Sequence, residues 1–370
     1  MEKIQLMKDT FKEYYPLSSS EIKNLWQNSI FIFDTNILLN LYRYSSETSL
    51  NFLETIENLK KVWIPYQVGY EFHKKRMTVI SDQRKSYEDF EKKINEIISA
   101  VEDKNRNPFF SNDLLEKLTK IKEIIQKEVS HNIKHYDDAL IKDNYLDRIQ
   151  KLFDNKVGTE PSLDILQKIY SEGEKRYKEN IPPGFKDNSK QGNGKFGDLL
   201  IWKQIIDKAK ADSCDIIFIS DDRKEDWWLE HQGKTISPRP ELLKEFRLET
   251  SKSCHFYKPF QFLEFSNKYL NSKVKNEVIE EVKNYKFKNI SDNNYVFIYI
   301  ILKGSEPNVS IFINDLKFAG YNIFEQTVEN NLHNITIILP KIHDLERRLN
   351  EKYFNNLQKY DIELIKISSR

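Results

Sequence analysis

The stretch Phe31–Asn36 reads FIFDTN, an apolar run that leads directly into an acid, a hydroxyl and an amide. Together with Ile30, the apolar run is typical of a short buried strand. An acid directly after a strand is either a helix cap, since Asp and Asn accept backbone N–H groups where helices begin, or a functional group. Asp34 alone does not decide between these interpretations, so the surrounding sequence must.

The sequence after this stretch predicts a parallel α/β unit. Residues 45–61 repeat apolar residues at helical spacing, and residues 62–65, VWIP, are typical of a short strand that ends at a proline. Strand, helix and strand in this order open a parallel sheet. The pattern returns as a helix over 198–211, a strand over 215–220 and a strand around 254–258. We therefore expect one α/β domain.

A long helical insertion interrupts this α/β pattern. In residues 66–149, apolar residues recur at intervals of three and four on either side of the segment EDKNRNPFFSND at 102–113. The proline, serine and aspartates of that segment can end one helix and cap the next, which predicts a helical hairpin. Further helices are predicted over 137–154 and 161–178, before a loop with several Gly and Pro residues. The insertion covers about residues 75–190.

Beyond about Asn271 the pattern changes to strand, helix, two strands, helix and strand. This order is typical of a ferredoxin-like α+β arrangement, so we predict two domains, 1–272 and 273–370. The strands over 295–303 and 333–340 are apolar on both alternations along part of their length, which is more than a sheet with one solvated face requires. We therefore predict that this domain forms a homodimer or binds a partner protein.

The charge balance excludes a globally basic protein. The chain has 58 Lys and Arg residues and 57 Asp and Glu residues, a formal net charge of +1 at pH 7, so any nucleic-acid site must be local. No apolar run reaches membrane-spanning length and the start lacks the apolar segment of a secretory signal, which indicates a cytoplasmic protein without membrane association. Neither Cys214 nor Cys254 is part of the C-x-x-C spacing of a zinc site, and both are predicted to be buried free thiols.

Two more acids should share the sheet edge of Asp34. Asp221 and Asp222 follow the strand over 215–220. In open α/β sheets, the carboxyl ends of the parallel strands form the edge where ligands bind. We therefore expect these carboxylates at that edge.

Two acids on predicted helices can join them. Asp198 heads a helix and shares its apolar face, although the helix dipole alone also favours a first-turn Asp. Glu71 lies in the helix after Pro65, although a surface ion pair with Lys75 explains it equally well. Carboxylates gathered in one cleft repel one another and raise each other's pKa unless a cation holds them ionised.

Oxygen ligands alone favour a hard metal ion, Mg²⁺ or Mn²⁺. Two such ions can activate a water molecule and stabilise the attacking and leaving oxygens of a phosphodiester, which is the arrangement of many nucleases. The sequence therefore predicts a metal site with Asp34 as a ligand.

Four motifs together resemble a known family. They are FIFDTNILLNLYRYS at 31–45, VWIPYQVGYEFHKKR at 62–76, KFGDLLIWKQII at 195–206 and IIFISDDRKEDWW at 216–228. In this order they resemble the PIN-like domains of bacteria, a branch of the PIN nuclease superfamily with a long helical insertion, over about residues 10–270. The resemblance implies a metal-dependent nuclease, usually acting on RNA, and leaves open a role in a toxin or in defence against phage.

The resemblance also implies a set of site residues. The family's four acids, which are catalytic and bind the metal, correspond to Asp34, Glu71, Asp198 and Asp222. Ser220 fits the Ser or Thr that the family often carries two residues before the last acid, and Asp221 is an extra acid and a further candidate metal ligand. Asn36 is expected to orient Asp34 or its water.

Cations and aromatic residues beside these motifs are candidates for nucleic-acid binding. Eight cations flank the acid motifs: Lys74, Lys75, Arg76, Lys186, Lys190, Lys195, Arg223 and Lys224. Of these, we expect Lys75, Arg76, Lys195 and Arg223 to contact nucleic acid. They can grip phosphates, although a solvated face explains such charges equally well. Trp227 and Trp228 could stack on bases, although burial is the expected role of this pair.

Two other motifs carry less weight. Residues 192–197, GNGKFG, match a dinucleotide fingerprint in form but follow a loop rather than a strand. His131 and His135 are one helical turn apart, as zinc pairs are, but no third ligand is apparent in the sequence.

Three hypotheses about function remain. They are a metal-dependent endonuclease that hydrolyses phosphodiester bonds, a non-enzymatic module on the same fold that binds nucleic acid or a partner, and a small-molecule phosphohydrolase. We favour the endonuclease, because a retired site has little physical reason to keep mutually repelling carboxylates.

Overall fold

The computed structural model describes residues 6–103, 110–232, 234–285, 295–318, 322–329, 332–340, 357, 359 and 363–369. The chain divides into two compact units, Met1–Tyr285 and Lys286–Arg370. No helix in the described ranges is long and apolar enough to span a lipid bilayer.

The division between the units lies further along the chain than the predicted boundary at residue 272. A helix at Asn276–Asn284 packs its apolar residues into the core of the first unit. Its Glu281 carboxylate also accepts hydrogen bonds from the N–H and O–H groups of Ser45, each at 2.7 Å. These contacts fix the helix to the first unit, which therefore ends after it.

The first unit is an α/β domain. In chain order its elements begin with α1 (Met7–Thr10), α2 (Ser19–Asn28), β1 (Ile30–Phe33), α3 (Thr35–Asn40), α4 (Ser46–Glu57), β2 (Val62–Trp63) and α5 (Tyr66–Glu102). They continue with α6 (Asn112–Ile141), α7 (Asn144–Phe153), α8 (Leu163–Lys178), α9 (Gly197–Asp212), β3 (Ile216–Ile219), β4 (Trp228–His231), β5 (Lys234–Pro238), α10 (Pro240–Thr250), β6 (Cys254–Tyr257), α11 (Pro259–Tyr269) and α12 (Asn276–Asn284). Short 3₁₀ turns lie at Lys12–Tyr14, Phe185–Asp187 and Gly192–Phe196.

Four strands form the central sheet in the order β2-β1-β3-β6, and all of them are parallel. β1 pairs with β2 through Phe31 and Val62, and with β3 through Ile30 and Ile216. Every residue of β1 and β3 is buried, as expected for parallel strands with both faces covered. The parallel α/β sheet that the sequence predicts is therefore confirmed.

The predicted helical hairpin is present as α5 and α6, which pack against each other. Arg84 on α5 donates from Nε to Asp137 Oδ1 on α6 at 2.6 Å. The Ser111 hydroxyl caps α6 by accepting the Leu114 N–H at 3.3 Å. A serine in the break between the two helices therefore starts the second one, as predicted.

The prediction of a single helix over 137–154 is wrong, because two helices, α6 and α7, share this range. Asp143 separates α6 from α7 and caps α7 by accepting the Leu146 N–H at 2.8 Å. The same buried carboxylate bonds to Tyr42 Oη at 2.8 Å and to Arg76 Nη1. These three donors hold Asp143 outside either helix, so the apolar periodicity does not continue as one helix.

A polar network fixes α9, the helix that precedes β3, to its neighbours. Arg176 on α8 binds Glu245 on α10 through two hydrogen bonds of 2.7 and 2.8 Å. The indole N–H of Trp202, on α9, donates to the same carboxylate at 3.0 Å. Because a bidentate Arg–carboxylate pair has a strict geometry, this network holds the three helices in register.

The paired tryptophans are structural, as predicted. Trp227 and Trp228 are buried, and the Trp227 ring lies 5.3 Å from that of Phe218, so neither is open to stack on a base.

The prediction that the two cysteines are buried free thiols is confirmed only in part. Cys214 and Cys254 carry free thiols but are only half-buried. Both lie near the amino ends of strands, at the rim of the sheet.

The second unit contains β7 (Tyr295–Lys303), α13 (Glu306–Phe318), β8 (Asn322–Glu329), β9 (Leu332–Pro340) and β10 (Glu363–Ser369). Its strands form an antiparallel sheet in the order β10-β7-β9-β8. This order is that of a ferredoxin-like fold, so the predicted class is confirmed for the described elements. The second predicted helix, over 341–360, lies outside the described residues apart from Leu357 and Lys359.

Candidate active site

Asp34 is both the cap of α3 and a member of a group of acids. It follows β1, and its Oδ1 accepts the Thr35 N–H at 2.7 Å. Its Oδ2 accepts the Ser220 hydroxyl at 2.8 Å and the Asn36 side-chain amide at a longer 3.4 Å. The carboxylate is buried, with only 8% of the residue exposed. The interpretation of Asp34 as a helix cap is therefore confirmed, and the same carboxylate also lies beside other acids.

The turn after β3 places Asp222 beside Asp34. The Ser220 Oγ that donates to Asp34 also accepts the Asp222 N–H at 3.0 Å. Asp222 Oδ1 in turn accepts the Lys224 N–H at 2.8 Å. One serine hydroxyl thus connects the ends of the two central strands, and the turn is closed by its own side chains.

Asp198 and Glu71 reach the same edge from helices. Since α9 leads back into β3, its first turn, with Asp198, lies where the strands end. Glu71 on α5 accepts the Gln67 side-chain amide at 2.9 Å and pairs with Lys75 at 2.5 Å. A Cβ atom built on Gly197 would lie 2.8 Å from Glu71 Oε1. Glu71 therefore makes the predicted surface pair and also packs directly against the start of α9.

Burial and the neighbouring acids raise the pKa values of Asp34 and Asp198. Burial, and then the charges of Asp222 and Asp198, raise the pKa of Asp34 to about 7, against the opposing hydrogen bond from Ser220; Glu71 adds a smaller increase. Burial also raises the pKa of Asp198 to about 6, and Asp222 adds to this although Lys224 opposes it. The structure thus brings together the four acids that the sequence predicts, in a setting that favours a bound cation.

Lys224 lies among the acids. Its Nζ is 3.0 Å from Asp187 Oδ2, 3.1 Å from Asp198 Oδ2 and 3.4 Å from Asp222 Oδ2. Although burial opposes it, the charges of these three acids raise the pKa of Lys224. Among the residues that the structure describes, no three His, Cys, Asp or Glu side chains form a ready metal site; this ammonium bonds the carboxylates instead.

The sequence did not identify Asp187 or Asp226. Asp187 lies in the short turn Phe185–Asp187 and is buried. Asp226, which is fully buried, accepts the N–H groups of Gly184 at 3.0 Å and Lys186 at 3.1 Å. Asp226 thereby ties the turn that carries Asp187 to the loop after β3. The loop that carries Asp187 has no periodic pattern of apolar residues. In the sequence, the one feature that points to Asp187 is its position just before the Asp198 motif.

Asp221 lies apart from the contacts described so far. Its Oδ2 accepts the Asn40 side-chain amide at 3.1 Å. Burial raises the pKa of Asp221 above its ordinary value, and the charges of Arg223 and Lys258 oppose this shift. Asp221 therefore belongs to a separate set of contacts on the α3 side of the loop.

The four predicted phosphate-binding cations differ in availability. Arg76 forms an ion pair with Asp143, and Lys195 forms one with Glu174 at 2.7 Å. Lys75 is exposed although it pairs with Glu71, and Arg223 is exposed although it donates to a backbone carbonyl. Lys75 and Arg223 are therefore the two that substrate could reach without breaking a buried contact.

A protein-family model matches the part of the chain that carries the site. A family model described as a PIN-like domain matches residues 30–242, more than half of the 370-residue chain and a range that includes all four acids. No curated protein matches the chain. PIN-like domains are generally nucleases, and PIN domains typically use divalent metal ions. The chain belongs to the PIN-like domain family.

Proposed function

We propose that the chain is a metal-dependent endonuclease that hydrolyses phosphodiester bonds, with RNA as its substrate. The observation that carries this proposal is the convergence of Asp34, Glu71, Asp198 and Asp222 where β1 and β3 end. Membership of a family of nucleases supports it.

The donor set fits Mg²⁺ or Mn²⁺, because it consists of carboxylate oxygens. Burial and neighbouring acids raise the pKa values of two of its members, Asp34 and Asp198, and a bound cation would hold both ionised. Asp34, Asp198 and Asp222, with Glu71, would hold the ion. The ion, when bound, supplies positive charge for an attacking water and for a phosphate oxygen. The Thr35 N–H and the Ser220 hydroxyl fix the two oxygens of Asp34 in place.

A panel of labelled RNA and DNA strands tests the proposal. With Mg²⁺ or Mn²⁺ we expect internal cuts in RNA, and none in excess EDTA. Release of terminal phosphate without internal cuts would favour a small-molecule phosphohydrolase. No cleavage of any strand at saturating Mn²⁺ would contradict the endonuclease.

One observation favours a second candidate, a non-enzymatic module that binds nucleic acid or a partner. The Lys224 ammonium already supplies a cation to Asp187, Asp198 and Asp222. A site neutralised in this way could persist without a metal ion. Binding of RNA with no uptake of Mn²⁺ would identify this second function.

Gly197→Ala should reduce cleavage by about tenfold or more, because small displacements of catalytic groups are costly. The added Cβ would meet Glu71 Oε1 at 2.8 Å, and the end of a flexible side chain can move away. The melting temperature should therefore change little. Gly194→Ala is the matched control, since an added Cβ there meets nothing within 4 Å. Equal cleavage rates for both variants would contradict the placement of Glu71.

Shortening the hairpin should change substrate choice more than it changes the cleavage of short single strands, because insertions beside active sites often select substrates. Tyr136 is buried in the core and Arg84 pairs with Asp137, so the base of the hairpin must stay. Residues 92–128 are therefore the segment to replace by a short linker. An equal loss on structured and short RNA would show that the hairpin is structural only.

We propose that the C-terminal unit pairs with a second copy of the chain. Among the described strands of this unit, β10 and β8 form the edges of the sheet, and edge strands tend to pair with another chain. Light scattering should find a dimer for the full chain and a monomer for a truncation after Tyr285, where the first unit ends. A monomeric full chain would contradict pairing.

A further inference from the structure

Lys224 occupies the position of a counter-ion within the proposed metal site. Its Nζ bonds Asp198 Oδ2 at 3.1 Å and lies 3.4 Å from Asp222 Oδ2. Its own backbone N–H binds the other oxygen of Asp222 at 2.8 Å. An ammonium group and a divalent cation compete for the same carboxylate oxygens, because both are attracted by the same charges.

Asp187, which is not one of the four acids, also binds the Lys224 ammonium. Its Oδ2 accepts the Lys224 ammonium at 3.0 Å. The turn that carries Asp187 is tied by Asp226 to the loop that carries Lys224, through the Gly184 and Lys186 N–H groups. A Lys224 ammonium that left Asp198 and Asp222 could therefore keep its bond to Asp187, with the two segments still tied by Asp226.

We propose, on the basis of the proposed function, that Lys224 is a positioning residue that holds Asp198 and Asp222 until a divalent metal binds, and that Asp187 then retains its ammonium group. Lys224 keeps the acids close together while the metal is absent. It also lowers the affinity of the site for the metal, because its charge must be displaced.

The two residues should therefore affect metal binding in opposite directions. Lys224→Met removes the competing charge, so Mn²⁺ should bind at least about tenfold more tightly, while the melting temperature without metal falls. Asp187→Asn removes the place that receives the ammonium, so Mn²⁺ should bind about threefold or more weakly. In the double variant, the effect of Asp187→Asn should be much smaller, because Lys224 is no longer there to be retained.

Calorimetric titration of the full chain with Mn²⁺, without nucleic acid, measures these affinities independently of activity. Lys224→Arg keeps the charge and should bind Mn²⁺ with nearly wild-type affinity. Lys190→Met is the matched control, because Lys190 bonds the same Asp187 oxygen at 2.6 Å from a side chain that is 57% exposed. Its loss should change the affinity by less than about twofold, since exposed charges are screened.

Each outcome separates this inference from the proposed function. If the wild-type chain takes up no Mn²⁺, the proposed function itself is contradicted. If the wild type binds Mn²⁺ and Lys224→Met binds it no more tightly, only the role of Lys224 is overturned. If Lys224→Met does not fold, Asp187→Asn decides: unchanged or tighter binding would overturn the inference. An equal effect of Asp187→Asn in both backgrounds would show that Asp187 acts through its own charge alone.

Discussion

Replacing Asp34 by Asn is expected to lower metal-dependent RNA cleavage by on the order of a thousandfold, with the fold retained. Loss of a charged metal ligand removes several kcal/mol of transition-state stabilisation, and each 1.4 kcal/mol or so is a factor of ten in rate. The Asn oxygen can still accept the Thr35 N–H that Asp34 accepts at 2.7 Å. The cap of α3 is therefore kept while the charge is lost. Single-turnover cleavage of labelled RNA in Mn²⁺ measures the effect.

Asp215→Asn is the matched control for this variant. Asp215 also belongs to the region of β3, but it precedes the strand and accepts the Ser253 N–H at 2.8 Å. It therefore lies at the opposite edge of the sheet from Asp34. We expect its variant to cleave RNA at nearly the wild-type rate. Comparable activity of the two variants, or full activity of Asp34→Asn, would contradict the role of Asp34.

The stability advantage of Asp34→Asn over the wild type should grow as the pH rises, when no divalent metal is present. Burial and the charges of Asp222 and Asp198 raise the pKa of Asp34 to about 7, against about 3.9 in an unfolded chain. The folded state therefore binds a proton that the unfolded state has released. The stability that this proton provides is fully present below about pH 4 and is lost as the pH rises through about 7.

Urea unfolding of both proteins in EDTA at pH 5 and pH 8 tests this prediction. Between these values the advantage of the variant should grow by on the order of 3 kcal/mol, since each pKa unit is worth about 1.4 kcal/mol. The buried His255, whose pKa is lowered to about 4, contributes equally to both proteins and cancels in the comparison. A constant difference across this range would show that burial and the neighbouring acids do not raise the pKa of Asp34.

The fold could be predicted where its elements have strong periodic patterns. The apolar runs of β1 and β3 are long enough to identify buried strands, and the repeats of α5 and α6 identify a hairpin. The antiparallel pair β4 and β5 was not predicted, because the apolar residues of its strands neither form a continuous run, as in β1 and β3, nor alternate regularly. Short strands of this kind are fixed by tertiary packing, here around the buried Trp228.

The candidate site could be predicted only as far as local sequence defines it. Asp34, Asp198 and Asp222 stand at the ends of regular elements, so topology alone brings them to one edge. Asp187 reaches the same place through a loop that Asp226 anchors, and no local pattern reports such an anchor. The position of Lys224 likewise depends on its partners in space, so the sequence suggests a phosphate contact where the structure has an internal ion pair.

The most direct test of the central claim is the position of Mn²⁺ in crystals of the full chain, located by its anomalous scattering. The claim is that the acids at the ends of β1 and β3 hold the metal ion that a nuclease of this family needs. We predict an anomalous peak at bonding distance from the carboxylates of Asp34 and Asp222, with the Lys224 ammonium moved onto Asp187. A saturating soak that gives no peak at these residues, or a peak only elsewhere on the chain, would contradict it.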